Sequence, residues 1–439
     1  MSTAIRTGRP ITVDSVSVEG LDTESRTSFV HFFVVTFLAF SVVTTVTLPE
    51  GPDVLVKMAR WGSLGIASIL VLGRLTRSPL TRQGVAWVLS GLYAAGTVAY
   101  SIDVPATVLR SSSYIGLTIA AFAGGSICYR DRSLALRRFP GQIGIMLALL
   151  ALPSVVGLTL GFPEIFFHEG GLFRGVFVHA NTLGAFVSMW LVVGIGVYDS
   201  HLTRHRRIVI LGLIAMAICA VASKCRAGVG ASLIAILFYV LVTRKMRRLF
   251  FVGALAVTML LTAFIALPYV SDVVTRESTD FIFKGGDEDA LVSRRDVWDT
   301  GWNNFLDSPW LGYGFGTSVG EVTNEWKLVG LGAREKGSAF IAVLEETGLF
   351  GGLVLGFPLV LCMANAFRLR RLNLQLASIP SALTSDARLA AAFWAGAMGG
   401  IANNLAEATL WSPGSPFGGM LLFLAGAAEG LMLRTESRQ

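Results

Sequence analysis

The chain has 439 residues, of which 53% are hydrophobic, with a mean hydropathy of +0.64 and a formal net charge of +7. A soluble multidomain enzyme does not need this much apolar sequence, so the composition excludes that class and indicates a membrane protein with several spans. The basic excess does not indicate nucleic-acid binding, because Arg and Lys occur in short clusters between apolar segments rather than along one polar face.

Apolar stretches of about 20 residues, the length that crosses a hydrocarbon core of about 30 Å, recur twelve times along the chain. The first stretch is too long for the core of a cleavable signal peptide, so we expect it to remain as a span. The sequence therefore predicts a one-domain, all-α, polytopic membrane protein with approximate spans at 29–49, 54–73, 84–101, 113–129, 142–161, 182–198, 208–223, 227–243, 249–269, 339–364, 388–409 and 417–433.

The predicted organisation has five parts. A polar tail (1–28) precedes spans 1–9 (29–270), a large loop (271–338) separates them from spans 10–12 (339–433), and a short polar tail (434–439) ends the chain. The four cysteines lack metal-ligand spacing and lie in or beside apolar segments, so we interpret them as packing residues: Cys128, Cys219, Cys225 and Cys362.

The loop at 271–338 is the main polar interruption of the apolar pattern. It holds 19 charged residues among its 68, against 15% for the whole chain, so it must face water while its flanks face lipid. Its glycine-rich segment (311–316) lacks the Lys-Ser or Lys-Thr ending of a phosphate loop, and we expect a tight turn there. The acidic run at 287–289 resembles a metal-binding pattern, but we interpret it as solvated loop acids.

Four tryptophans in this loop could stack on sugar rings or form an interfacial belt, and the sequence leaves both readings open. They are Trp298, Trp302, Trp310 and Trp326. Trp298 follows Arg294 by four residues, so on a helix the two share one face. We therefore predict an amphipathic helix near 291–306 that lies along the membrane surface.

The distribution of basic residues predicts the orientation of the chain. With the N-terminus in the cytoplasm, the inner side holds 23 of the 36 Lys and Arg, which satisfies the positive-inside rule. Both termini are then cytoplasmic and the large loop is extracytoplasmic. Arg174, Arg226 and Arg294 fall on the outer side. A lone arginine at a bilayer edge is commonly a snorkelling anchor, whereas three on one face are a functional signal.

Five short segments carry a family resemblance. In order and spacing they resemble the arginine motifs, the glycine-rich loop segment and the span entry of the O-antigen ligase and O-antigen polymerase family of bacterial envelope enzymes, and they lie at 173–184, 223–226, 293–298, 309–316 and 346–351.

The resemblance implies a metal-independent, inverting glycosyltransferase without a cofactor, with its active site on the outer face of the bacterial cytoplasmic membrane. Its donor would be a glycan on polyprenyl diphosphate, such as undecaprenyl diphosphate. Its partners would be membrane lipid and other polysaccharide-assembly proteins. Arg174, Arg226 and Arg294 would be the catalytic, diphosphate-binding residues.

The chemistry of arginine suits this role. Guanidinium groups stay charged and bind anionic oxygens in a bidentate manner that lysine cannot copy. When the bond between sugar and phosphate breaks, negative charge grows on the leaving oxygen, and arginines already in place stabilise it.

One departure from the family concerns the residues before Glu346. Ligases of this family carry a His-Asn-like pair about nine residues earlier, where this chain has Gly337 and Ser338. The missing histidine favours a polymerase for O-antigen or exopolysaccharide over a ligase that joins the glycan to a lipid A core. Lys336 beside the gap supplies positive charge or is only a loop lysine.

A transporter that flips lipid-linked glycan is an alternative from another class. A flippase needs polar residues along a path through the bilayer, and spans 1–4 and 9 show no ionisable residue at mid-depth in the sequence.

Six residues are candidates for substrate binding: His179, Asn181, Lys224, Trp298, Lys336 and Glu407. Asn181 could instead cap a helix, and Glu407, near the predicted outer end of span 11 with Asn403 and Asn404, could be a capping carboxylate. The base that accepts the proton of the sugar hydroxyl stays open among several outer-side residues: Glu164, His168, Glu169, His179, Asp280 and Glu407.

Overall fold

The computed structural model describes residues 18–76, 78–130, 135–160, 166–167, 173–201, 203, 205–243, 292–317, 319, 336–376 and 382–438. This part of the chain is helical and has isolated β-bridges, Val46 with Phe177 and Phe167 with Phe173, in place of strands. The all-α prediction is confirmed for these residues. Predicted span 9 and most of the large loop lie outside them.

The helices are α1 (Val18–Val43), α2 (Glu50–Leu75), α3 (Arg82–Gly96), α4 (Val104–Arg130), α5 (Ala135–Leu160), α6 (Ala180–Asp199), α7 (Arg206–Ala222), α8 (Arg226–Thr243), α9 (Val292–Asp307), α10 (Ala339–Gln375), α11 (Ala382–Asn403) and α12 (Pro416–Glu436).

Each predicted span other than span 9 overlaps one of these helices, and α9 matches the helix predicted near 291–306. Within the described residues, seven helices are long and apolar enough to cross a membrane. An all-helical protein with several candidate membrane spans is thus confirmed, while the number twelve stays a prediction.

Two helix ends differ from the predicted span limits because side chains cap them. The carboxylate of Asp103 accepts a hydrogen bond from Ala106 N (3.1 Å), so α4 begins well before residue 113. At the end of α11, Asn404 Oδ1 accepts from Leu410 N (2.7 Å), and the helix stops at Asn403. Glu407 consequently lies in the loop after α11 and not inside a span.

Helices α4, α6 and α12 form the buried centre of the bundle, and α2 lies at its periphery. Glycines allow the central helices to touch. A Cβ on Gly426 of α12 would overlap the carbonyl oxygen of Phe122, and one on Gly430 would overlap that of Ser126. Lipid tails are as apolar as the side chains, so close van der Waals contact of this kind holds membrane helices together.

Helix α4 contains a π-helical turn at Thr118–Ala123. The turn accommodates one more residue than an α-helical turn and is commonly found near functional sites. Just beyond it, Gly125 packs against the backbone of Phe423 in α12.

Hydrogen bonds between connecting segments fall at two ends of the bundle. At one end, which we call the site end, Val178 N donates to Thr45 O (3.0 Å) and Ile102 N to Tyr313 O (3.0 Å). At the opposite end, Arg388 Nη1 donates to Asp199 O (3.3 Å). The described segments predicted to be extracytoplasmic thus meet at one end.

Candidate functional site at one end of the helix bundle

The N-termini of α6 and α8 lie side by side at the site end. A Cβ on Gly228 of α8 would overlap the backbone of Gly184 in α6, so the two helices cross in direct contact within their first turns. Helix α6 begins at Ala180 without a side-chain cap. Each N-terminus carries about half a positive charge from the helix dipole and exposes backbone N–H groups, which suits an anion.

A tight turn joins α7 to α8. Lys224 has a positive φ of 51°, a strained conformation for a residue with a side chain. Cys225 N donates to Ser223 Oγ (3.2 Å), and Cys225 Sγ lies 3.7 Å from Asn181 Oδ1 in α6. Asn181 therefore contacts the α7–α8 turn as the second residue of α6, and the helix-cap reading of Asn181 is wrong.

Arg174 belongs to the segment that leads into α6. Its Nη1 donates to Val178 O (3.2 Å), and its backbone N donates to Phe166 O (2.9 Å). Its Nε is buried and has no hydrogen-bond partner within the described part of the chain. Arg174, Lys224 and Arg226 form what we call the basic cluster, because all three lie in the segments that enter these adjacent helix N-termini.

Arg294 is placed only by its backbone, in the first turn of α9. Its side chain lies outside the described residues, so the predicted meeting of three guanidinium groups stays a prediction. Several other candidates also lie outside them: Glu164, His168, Glu169, Asp280, Trp326 and the acidic run at 287–289.

Glu346 of α10 fixes the glycine-rich segment. Its backbone oxygen accepts from Tyr313 N (3.0 Å) and Gly314 N (2.7 Å), and its Oε2 accepts from Gly316 N (2.7 Å). Gly312, Gly314 and Gly316 all have positive φ, so the expected tight turn is confirmed. Partial burial, together with the charges of Asp307 and Glu345, raises the pKa of the Tyr313 phenol.

Lys336 joins this segment to α10. Its Nζ lies 2.6 Å from Glu346 Oε1 and 3.7 Å from Glu345 Oε2, and it also donates to Thr317 O. Asn304 of α9 donates to Glu345 Oε1 (3.0 Å), so α9 is part of the same network. The charge of Lys336 is balanced by carboxylates within the protein.

A cavity of 370 Å³, which we call the first cavity, opens beside this network and has a mixed polar and apolar lining. Its volume lies within the range of small-ligand pockets, about 300–1,000 Å³. Its lining includes four charged side chains and one indole: Arg110, Lys336, Glu346, Glu407 and Trp411. Sequence reasoning missed Arg110, although the same topology that selected the three arginines also places Arg110 outside.

The end of α11 and the loop that follows it lie between α6 and the start of α10, whose residue Ala339 lines the first cavity. Gly399 packs against the backbone of Ser188 in α6, and Asn403 follows one turn later on the same face. Asn403 Oδ1 is buried without a partner among the described residues. On the other side, Ala339 N donates to Glu407 O (2.9 Å).

Arg60 of α2 holds the loop between α11 and α12. Arg60 is buried, with a relative exposure of 3%. Its Nη1 donates to Gly414 O (3.0 Å) and its Nη2 to Pro413 O (3.2 Å). Arg60 thus lies within predicted span 2 but pairs with a loop at the site end, so the absence of ionisable residues at mid-depth in spans 1–4 and 9 stays a prediction. Its carbonyl partners explain how the charge is accommodated.

The position of the missing histidine is occupied by a closely packed glycine. Gly337 has a φ of +62°, and a Cβ built on it would lie 3.1 Å from Trp298 Nε1. Ser338, at the second position of the pair, precedes the first residue of α10. Trp298 thereby packs at the entry to α10, and its indole N–H has no partner within the described residues.

The fold and the site define an integral membrane protein with basic residues and a cavity, partly lined by charged side chains, at one end. The family model described as O-antigen ligase matches residues 211–356, about a third of the chain. This match confirms the resemblance to the O-antigen ligase and O-antigen polymerase family over that part of the chain. No curated protein matches the sequence.

Proposed function

We propose that the protein polymerises a bacterial surface polysaccharide by transferring a glycan from a polyprenyl diphosphate to a sugar hydroxyl of a second lipid-linked unit. The observation that carries the proposal is the pair of adjacent N-termini, of α6 and α8, with Arg174, Lys224 and Arg226 around them. Positive side chains and helix dipoles at one point suit the diphosphate of a lipid-anchored donor.

The basic cluster is proposed to hold the leaving group. Arg174 has a buried Nε–H to satisfy, and a phosphate oxygen would do so. Arg226 and Arg294 complete the set, with His179, Asn181 and Lys224 contacting the diphosphate or its first sugar. These cations stabilise the charge that grows on the diphosphate, so the reaction does not require a metal for that purpose.

The first cavity is proposed to hold the acceptor sugar, with Glu407 as the base. The hydroxyl loses its proton to the Glu407 carboxylate and its oxygen attacks the anomeric carbon from the face opposite the diphosphate. The new glycosidic bond forms as the bond to phosphate breaks, so the configuration inverts. Trp298 and Lys336 support the cavity, because Trp298 packs on Gly337 and Lys336 links Thr317 to Glu346.

Polymerisation is favoured over ligation by the entry to α10. A histidine at position 337 would need a positive φ and would press on Trp298. The proposed orientation places the site end on the outer face of the bacterial cytoplasmic membrane with both termini inside, as the basic loops predict.

Purified protein in vesicles with lipid-linked glycan as the sole substrate tests the proposal. Longer lipid-linked chains are expected, with release of polyprenyl diphosphate. Transfer only when a lipid A core is added would show a ligase instead. Movement of the lipid-linked glycan across the bilayer without bond formation would show a flippase.

A further inference from the structure

A second cavity, also of 370 Å³, opens at the site end. It lies between the α1–α2 connection, the start of α6 and the start of α12. Threonine hydroxyls and one ion pair dominate its polar lining, which includes Thr45, Thr47, Asp53, Lys57, Val178 and Thr182.

The second cavity adjoins the basic cluster. Val178 lines it, and the carbonyl oxygen of Val178 accepts the hydrogen bond from Arg174 Nη1 (3.2 Å). A molecule in this cavity would therefore contact Val178, the residue to which Arg174 is hydrogen-bonded.

A short loop separates the two cavities. Residues of this loop up to Gly414 line the first cavity, whereas Pro416 lines the second. Arg60 fixes this loop through the carbonyls of Pro413 and Gly414, so the partition is a built feature of the site end.

The hydroxyls of the second cavity are hydrogen-bond acceptors. Thr44, Thr45 and Thr47 each donate their hydroxyl proton to a backbone carbonyl, at 2.8, 2.6 and 3.0 Å. A hydroxyl that donates once keeps lone pairs for accepting. The charges of Asp53 and Lys57 offset each other at 2.6 Å. This lining offers acceptors to the hydroxyl and amide donors of a sugar, and its one lysine is already paired with a carboxylate.

We propose that the second cavity binds sugars of the donor glycan beyond the one joined to the diphosphate, while the first cavity binds the acceptor. The proposal rests on the proposed function, because it takes Arg174 as a ligand of the diphosphate. It adds a site that selects the donor by its glycan, separately from the cluster that recognises its diphosphate.

Binding measurements with two probes test the second cavity. One probe is undecaprenyl diphosphate without sugar, and the other is the lipid-linked glycan extracted from cells that lack this protein. Thr182→Trp and Thr47→Trp fill the cavity from a helix and from an exposed connection, respectively. Thr76→Trp, an exposed position at the other end of α2, is the matched control.

Both filling variants should weaken binding of the lipid-linked glycan by about tenfold or more, as expected when one or two hydrogen bonds are lost. Binding of sugar-free undecaprenyl diphosphate should match that of Thr76→Trp. Unchanged glycan binding in Thr47→Trp, or equal losses for both probes, would overturn the proposal. If the unmodified protein binds neither probe, the proposed function itself fails.

Discussion

Lys336 Nζ lies 2.6 Å from Glu346 Oε1, and both side chains are nearly buried, with 7% and 11% exposure. This ion pair ties Lys336, three residues before α10, to the helix that holds the glycine-rich segment. Because both residues line the first cavity, the ion pair joins two parts of its wall.

Replacing Lys336 by Met should destabilise the protein by about 3–5 kcal/mol, because it leaves a buried carboxylate uncompensated. The double variant Lys336→Met with Glu346→Gln should recover part of that loss. Thermal unfolding in detergent measures both. Arg368→Met, which breaks the exposed pair with Glu436, is the control and should cost about 1 kcal/mol or less. Equal stability of the Lys336 and Arg368 variants would contradict a structural role for this pair.

Gly228→Ala should destabilise the protein by about 1–3 kcal/mol, because its Cβ would overlap the backbone of Gly184 and force α6 and α8 apart. Gly230→Ala, two residues later in α8, meets open space and should be neutral or stabilising by up to about 1 kcal/mol. Thermal unfolding compares the pair. A Gly228 variant as stable as the Gly230 variant would show that the helices do not touch there.

Arg174→Lys and Arg226→Lys should each lower the rate of glycan transfer by about 100-fold or more, because lysine keeps the charge but loses the bidentate contact with phosphate. Alanine variants should leave no measurable product at normal protein levels. Arg371→Lys, exposed on α10 at the opposite end, is the matched control. Near-normal polymer from the cluster variants would remove the active-site assignment.

Glu407→Gln should lower the rate of transfer by about 10²–10⁴-fold, since glutamine cannot accept the proton of the sugar hydroxyl. The fall in rate at low pH, which the protonation of the base causes, should disappear. Glu436→Gln at the opposite end is the control. A Glu407 variant that keeps both its rate and its acidic limb would exclude Glu407 as the base.

The helices were predictable from the sequence because membrane spans are long and apolar. The helix at α9 followed from the four-residue spacing of Arg294 and Trp298. Helix ends were less predictable, because they depend on caps such as Asp103 and Asn404, whose hydrogen bonds form with residues beyond the apolar stretch.

The site was predictable only where a residue belonged to a family segment. Arg60, Lys57 and Arg110 lie on the predicted outer side but belong to no such segment, so the sequence did not select them. Their importance depends on neighbours distant in the chain: Arg60 reaches Gly414, and Arg110 packs beside Gly316. Sequence spacing cannot supply contacts of this kind.

The π-helical turn of α4 determines which way the N-terminal half of that helix, which carries Arg110, faces. Each residue advances an α-helix by about 100°, so the additional residue within Thr118–Ala123 rotates the N-terminal half of α4 relative to Gly125, which packs on α12. Deleting a single residue from this stretch would leave a regular helix whose C-terminal half, with Gly125, still fits α12. Its N-terminal half would then turn Arg110 out of the first cavity. A deletion of one residue, about two turns away from Arg110, would therefore remove a positive charge from the cavity lining.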